Sequence, residues 1–296
     1  RPPRSTLFPY TTLFRSDGRE TVGLIQENQF IPLQQVSNGD PLTMLEAIQR
    51  GDEFINDVRA FLKTDVSDIA IPIESVTLIA PIPRPAKNIF CVGKNYAAHA
   101  VELGSEADIP EAPIFFSKTP TTVIGPNDPI PRHANVTDAL DYEGELAVII
   151  GKKGIAIEEE KAFDYIFGYT IINDITARDL QKRHQQFLLG KSLDGSCPMG
   201  PYIVHKSEIP NPQALKIETK VNGEVRQQAT TEQLIFSIPK LISVLSQGMT
   251  IEPGDIIATG TPAGVGLGFS PPKLLKSGDV VEITIEKIGI LTNTIQ

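Results

Sequence analysis

Apolar residues along this chain recur at two different periods, and the change of period divides it. Between residues 41 and 62, Leu42, Leu45, Ile48, Phe54, Ile55, Val58, Phe61 and Leu62 fall mostly three or four apart or multiples of that, which predicts a helix. Residues 21–25 and 30–32, just ahead, read as short strands. Beyond residue 86 strand signals dominate. Residues 146–150 and 169–172 are unbroken apolar runs, closed by Gly151 and by Asn173-Asp174. Residues 216–221 and 224–228 flank Asn222-Gly223, a dipeptide that favours a tight hairpin. Residues 279–288 alternate, with Val281, Ile283 and Ile285 on one face, so that face is buried. Helical patterns are fewer: 95–103, 158–165, 176–186 and 237–246. The expected fold class is α+β, mainly β.

Ile79-Ala-Pro-Ile-Pro-Arg-Pro85 stiffens the chain and breaks any helix, so the domain boundary is placed there. That leaves a small α/β N-terminal domain over 17–80 and a main body over 81–296. Residues 1–16 repeat STLF as TTLF and match nothing downstream. They are expected to be a tag or an artefact outside the fold, so that deleting them leaves folding unchanged.

Composition narrows the function classes. Twenty-seven cationic against 36 acidic residues give a net charge of −9, which argues against a nucleic-acid partner. No apolar run approaches the ~18 residues of a membrane helix, so no membrane partner is expected. Cys91 and Cys197 lie far apart with no CxxC spacing and read as idle thiols of a cytoplasmic protein.

The chemistry concentrates in Asp141-Tyr-Glu-Gly-Glu145. On a strand, Glu143 and Glu145 leave the same face ~7 Å apart and repel unless something positive lies between them. Asp174 stands where the run 169–172 ends, ahead of a helix expected to start at Thr176 with Asp179 completing a capping box. If the three converge, the site is all oxygen, which suits Mg²⁺, Mn²⁺ or Ca²⁺ rather than zinc. If they do not, two of them are a solvated strand edge. His99 and Glu102, three apart, share a helix face; they are a surface pair or a carboxylate-supported base. The glycine-rich run 260–268 lacks the register of a phosphate loop and is a ligand-facing loop or a plain turn. His133, His184 and His205 read as structural, and no G-x-S-x-G elbow supports a serine hydrolase.

Taken in order, these motifs resemble the fumarylacetoacetate hydrolase (FAH) family. The resemblance runs through Asn88-Ile-Phe-Cys-Val-Gly-Lys-Asn-Tyr96, Phe116-Ser-Lys-Thr-Pro120, Asp141-Tyr-Glu-Gly-Glu145, Asn173-Asp-Ile-Thr-Ala-Arg-Asp179, Gly190-Lys-Ser192, Cys197-Pro198 and Gly260-Thr-Pro-Ala-Gly-Val-Gly266. It implies a mixed β-roll catalytic domain, usually dimeric, with Mg²⁺ or Mn²⁺ held by Glu143, Glu145 and Asp174. It implies Lys191 as the lysine beside the metal, and Lys118 and Gln181 along the substrate site. Thr261 would receive a substrate carboxylate, His99 and Glu102 would activate water, and Arg178 would be structural.

The substrate class so implied is a small 2-oxo or β-diketo acid. The leading reaction is hydrolytic C–C cleavage of a fumarylacetoacetate or acylpyruvate type. Oxaloacetate decarboxylation, known in a long bacterial subgroup, and 2-hydroxy-dienoate isomerisation share the same electron sink. A metal-binding scaffold or regulatory protein is the non-enzymatic alternative, for which an intact dyad and Lys191 have no use.

Overall fold

A computed structural model describes residues 10–16, 19–26, 28–37 and 42–296. The chain folds as expected into a sheet-rich α+β structure. Its largest element is a twelve-stranded sheet. At the centre lie the antiparallel strands Gly144–Ile150, Ile166–Asn173 and Cys197–His205. The other side of Gly144–Ile150 pairs with Ile256–Ala258, and beyond that strand come Ile89–Gly93 and Ile114–Lys118. A separate four-stranded sheet holds the hairpin Lys216–Val221 and Glu224–Thr230, followed by Val280–Ile285 and Gly289–Thr294.

The run 146–150 is apolar throughout because both faces of its strand are covered. Leu146, Val148 and Ile150 pack in one cluster with Val281, Ile283 and Ile285 of the small sheet. Ala147 and Ile149 point the other way, into a cluster with Met44, Ile48, Phe54 and Val58 of the leading helices. The four-stranded sheet keeps the predicted alternation, with Val281, Ile283 and Ile285 buried and their neighbours half-exposed. Asn222 and Gly223 both take positive φ, 52° and 79°, as the expected tight turn requires.

Two local expectations change. The helix predicted over 41–62 is two helices, Met44–Arg50 and Asp52–Phe61, broken at Gly51, whose φ of 54° no helix accommodates. Thr43 and Glu46 form the capping box that starts the first of them. The helix after Asp174 starts at Arg178 rather than Thr176. Thr176 and Ala177 instead pair with Asp141 and Leu140 as a short strand, and the Thr176 hydroxyl donates to the Asp174 carbonyl.

Residues 1–9 lie outside the described residues, but Tyr10–Ser16 is a strand within the large sheet. It pairs with Arg19–Gln26, with Thr77–Ile79 and with Cys197–His205. Thr11, Thr12, Leu13 and Phe14 are buried, and Leu13 shares a cluster with Cys91, Ile149 and Ile203. The leading unit therefore joins the sheet of the main body through this strand. Burying a Leu and a Phe is worth about 1.5–3 kcal/mol each. Deleting residues 1–16 separates the two readings: removal of a tag or artefact leaves the melting temperature unchanged, whereas removal of a strand of the native fold lowers it by about 5–10 °C. An unchanged melting curve would show that the strand is dispensable.

Candidate active site

Antiparallel pairing brings the acidic residues together. Gly144 stands opposite Asn173, so Glu143 and Asp174 leave adjacent strand ends. The Asp174 amide donates to the Glu143 carbonyl at 2.8 Å, and the Glu143 amide donates to Asn173 Oδ1 at 3.1 Å. One carboxylate oxygen from each of Glu143, Glu145 and Asp174 lies within 4.8 Å of the others, and all three residues are buried.

Cations surround this group unevenly. Lys191, on the short helix Leu188–Lys191, donates through Nζ to Glu143 Oε2 at 2.6 Å and to Asp174 Oδ2 at 2.7 Å. Arg178 reaches Glu143 Oε1 at 2.8 Å through Nη1 and Asp141 Oδ2 at 2.8 Å through Nε. Burial pushes the Glu143 carboxyl up, but Lys191 and Arg178 outweigh it and hold it at about 2. Burial favours loss of the Lys191 proton, yet Asp174 and Glu143 prevail and raise its pKa. The two carboxylates thus favour the ammonium form of Lys191.

Among the described residues Glu145 has no ion-pair partner. Its Oε2 accepts from the Gly260 amide at 2.8 Å, while burial and then the charges of Asp174 and Glu143 push its carboxyl well up. Asp174 Oδ1 lies 2.9 Å from Lys118 Nζ without the alignment of a hydrogen bond, which leaves a buried lone pair. An under-compensated carboxylate and an all-oxygen donor set together fit a hard divalent cation.

A cavity of about 690 Å³ opens over these groups, and His99, Glu143, Glu145, Lys191, Gln181 and Thr261 line it. His99 sits on the helix Ala97–Glu102 with Nδ1 3.2 Å from Glu102 Oε2. The other Glu102 oxygen accepts from the Gly264 amide at 2.8 Å, so the glycine-rich loop holds the carboxylate that orients the imidazole. The surface-pair alternative for His99 and Glu102 does not hold, since His99 is buried in the cavity wall.

Two expected substrate contacts are placed differently. Lys118 is fully buried beneath the carboxylates, where its Nζ donates to the Ile175 and Lys191 carbonyls and to Ser196 Oγ. It supports Asp174 and does not line the cavity. Thr261 does line it, but its hydroxyl donates to the Gly144 carbonyl at 3.0 Å and accepts from Gln227 Nε2 at 2.7 Å. Gln181 lines the cavity with Oε1 engaged by Arg178, which leaves its amide donors for a ligand.

Sequence reasoning passed over two residues. Asp141 accepts from the Gly266 and Leu267 amides as well as from Arg178, tying the glycine-rich loop to the carboxylate platform. Asn95 clamps the helix entry by donating to the Thr259 and Phe236 carbonyls and accepting from the Phe236 amide. Both lie inside the quoted motifs, but apart from Arg178 their partners are 125 or more positions away.

This fold and site define a known class: the chain belongs to the fumarylacetoacetate hydrolase family. The family's C-terminal domain, described as fumarylacetoacetate (FAA) hydrolase C-terminal, matches residues 88–296. The chain is 57% identical over 261 residues to oxaloacetate tautomerase YisK of Bacillus subtilis (strain 168), covering 86% of this chain and 87% of that protein. Among solved structures, fumarylacetoacetate hydrolase from Exiguobacterium antarcticum aligns at 43% identity with a TM-score of 0.83, over 97% of this chain and 98% of that one. Maleylpyruvate hydrolase from Sphingobium sp. SYK-6, solved in complex with manganese(II) and pyruvate, aligns at 28% identity with a TM-score of 0.77, over 96% and 98%. The protein is accordingly an enzyme of this family, and the scaffold alternative falls away.

Proposed function

We propose that the enzyme interconverts the keto and enol forms of oxaloacetate or a close 2-oxo acid, with Mg²⁺ or Mn²⁺ held by Glu143, Glu145 and Asp174. The observation that carries this reading is the buried carboxylate triad beside the Lys191 ammonium, two of whose members, Glu143 and Glu145, line a cavity that His99 also lines. The similarity to a protein named oxaloacetate tautomerase supports the substrate, and the manganese–pyruvate complex of a relative supports the cofactor.

A divalent cation there would stabilise the negative charge that gathers on a keto oxygen as the neighbouring carbon loses its proton. Lys191 adds a second positive charge beside the same carboxylates. Glu102 engages His99 Nδ1 and so leaves Nε2 to take the proton from carbon and pass it to oxygen. Nothing enters or leaves in that exchange. Hydrolysis of an acylpyruvate is the second reading, favoured by the 3.2 Å His99–Glu102 contact, which equally suits a base that deprotonates water. A cytoplasmic homodimer is part of the proposal and rests on the family resemblance.

The experiment is a panel of oxaloacetate and acylpyruvates with Mg²⁺ or Mn²⁺, following enol absorbance together with pyruvate release. Loss of enol without pyruvate identifies the tautomerase. Cleavage of acylpyruvates at a higher kcat/KM than oxaloacetate turnover overturns it in favour of the hydrolase.

The loop that holds Glu102 supplies a further prediction. A Cβ built at Gly268 would stand 2.2 Å from Glu102 Oε1. Gly268→Ala is expected to displace that carboxylate and cut turnover about ten- to hundredfold, as loss of an orienting partner does elsewhere. Metal affinity should not change. Unimpaired turnover would show that Glu102 does not position the base.

A further inference from the structure

We propose that the enzyme carries a second site, separate from the catalytic cavity, which binds a small multivalent oxyanion through Arg226, Arg132, Lys273 and Lys276. These four cations line a cavity of about 530 Å³ with the acids Asp138 and Asp279, and Glu224 pairs with two of the cations at its edge. That balance stands against a chain whose net charge is −9.

Arg226 is the anchor. Its side chain is 11% exposed, and Nη2 pairs with Glu224 Oε2 at 2.9 Å. Nε and Nη1 are buried and make no well-aligned hydrogen bond among the described residues, while the Tyr142 hydroxyl lies close enough to the guanidinium to interact with it. Buried N–H groups without a well-aligned acceptor are costly, and the planar guanidinium fork matches two oxygens of a carboxylate or phosphate. Phe269 holds the fork in place, with Arg226 5.3 Å and Lys273 Nζ 4.7 Å from its ring centroid.

The remaining groups leave room for a ligand charge. Glu224 is shared, since Lys273 Nζ reaches its other oxygen at 2.6 Å. Asp279 is occupied by Asn222 Nδ2 and the Lys276 amide, each at 2.8 Å. Arg132 donates to the Thr137 carbonyl at 2.7 Å and lies 3.4 Å from an Asp138 whose side chain is 95% exposed, a weak competitor in water.

Leu274 lines both cavities, so the two sites share a wall. Next to it the Lys273 amide donates to the Gly266 carbonyl, while the Gly266 amide donates to Asp141. Asp141 in turn holds Arg178 against Glu143. An anion on Arg226 and Lys273 therefore contacts the segment that braces the catalytic carboxylates.

Titration calorimetry on the full chain with saturating Mg²⁺ tests the site, using inorganic phosphate and succinate as the two probes. The expected result is saturable binding of at least one probe, with the tighter one identifying phosphate or carboxylate as the ligand chemistry. Arg226→Gln should weaken it at least tenfold, Lys276→Gln severalfold, and Glu145→Gln not at all. Should Arg226→Gln fail to fold, the Lys273→Gln/Lys276→Gln double variant replaces it, with the same tenfold loss expected. The proposal is overturned by non-saturable uptake, which leaves only ordered water on Arg226. Equal binding in all variants also overturns it, as does loss in Glu145→Gln, which would place the anion in the catalytic cavity.

Discussion

Glu145→Gln is expected to reduce divalent-ion affinity by more than a hundredfold and to take turnover down with it. The substitution keeps the shape of the side chain and removes the carboxylate that no cation partners in the protein itself. Glu143 and Asp174 already share Lys191, so they are compensated without a metal, whereas among the described residues Glu145 accepts a hydrogen bond only from the Gly260 amide. Loss of an outer-shell partner typically costs ten- to a hundredfold in metal affinity, and loss of a ligand should cost more. Calorimetry with Mg²⁺ or Mn²⁺ on parent and variant reads the effect directly. Equal affinities would mean that the ion, if one binds, sits elsewhere.

The second large effect separates the reactions open to this site. His99→Ala removes the group proposed to move a proton, a contribution of about 10²–10⁴-fold. Tautomerisation of oxaloacetate and hydrolysis of acylpyruvates both need that proton moved, so each should fall at least about a hundredfold. Decarboxylation of oxaloacetate relies on charge stabilisation beside the carboxylates and should fall less. Metal affinity should survive, because His99 contributes no oxygen to the triad. Measuring all three reactions on one preparation makes the comparison internal. Tautomerisation that survives the substitution would remove His99 from the mechanism.

The site was legible where chemistry follows local chain geometry. Glu143 and Glu145 share a strand face by the two-residue period, and Asp174 follows a strand that turns out to pair with theirs. Their convergence therefore needed one strand pairing that the sequence could suggest but not establish. His99 and Glu102 were legible for the same reason, being three apart on a helix. Whether a contact lies above or below the site was not legible. Lys118 sits in a motif that resembles a substrate-site segment, yet its strand directs it under Asp174, where three oxygen acceptors take its ammonium. Thr261 stands in the cavity wall, but its hydroxyl is spent on Gly144 and Gln227, residues remote in sequence.

The fold followed the same division. Alternation in 279–288 and the Asn222-Gly223 turn depend on neighbours in the chain, and both appear in the structure as expected. The strand Tyr10–Ser16 depends on partners far along the chain and carries only a short apolar stretch. Composition gave no hint that it would join the large sheet. Gly51 split a helix whose spacing alone looked continuous, because apolar periodicity is blind to a single positive φ.

The central claim is that the carboxylate triad supports keto–enol chemistry of a 2-oxo acid through a divalent cation. The most direct measurement follows the enol absorbance of oxaloacetate with parent and Glu145→Gln enzyme, each with added Mg²⁺ or Mn²⁺ and after chelation. The account predicts rapid loss of enol only for the parent with metal, and a return to the spontaneous rate in the other three conditions. Equal acceleration by the chelated parent, or by Glu145→Gln, would contradict it.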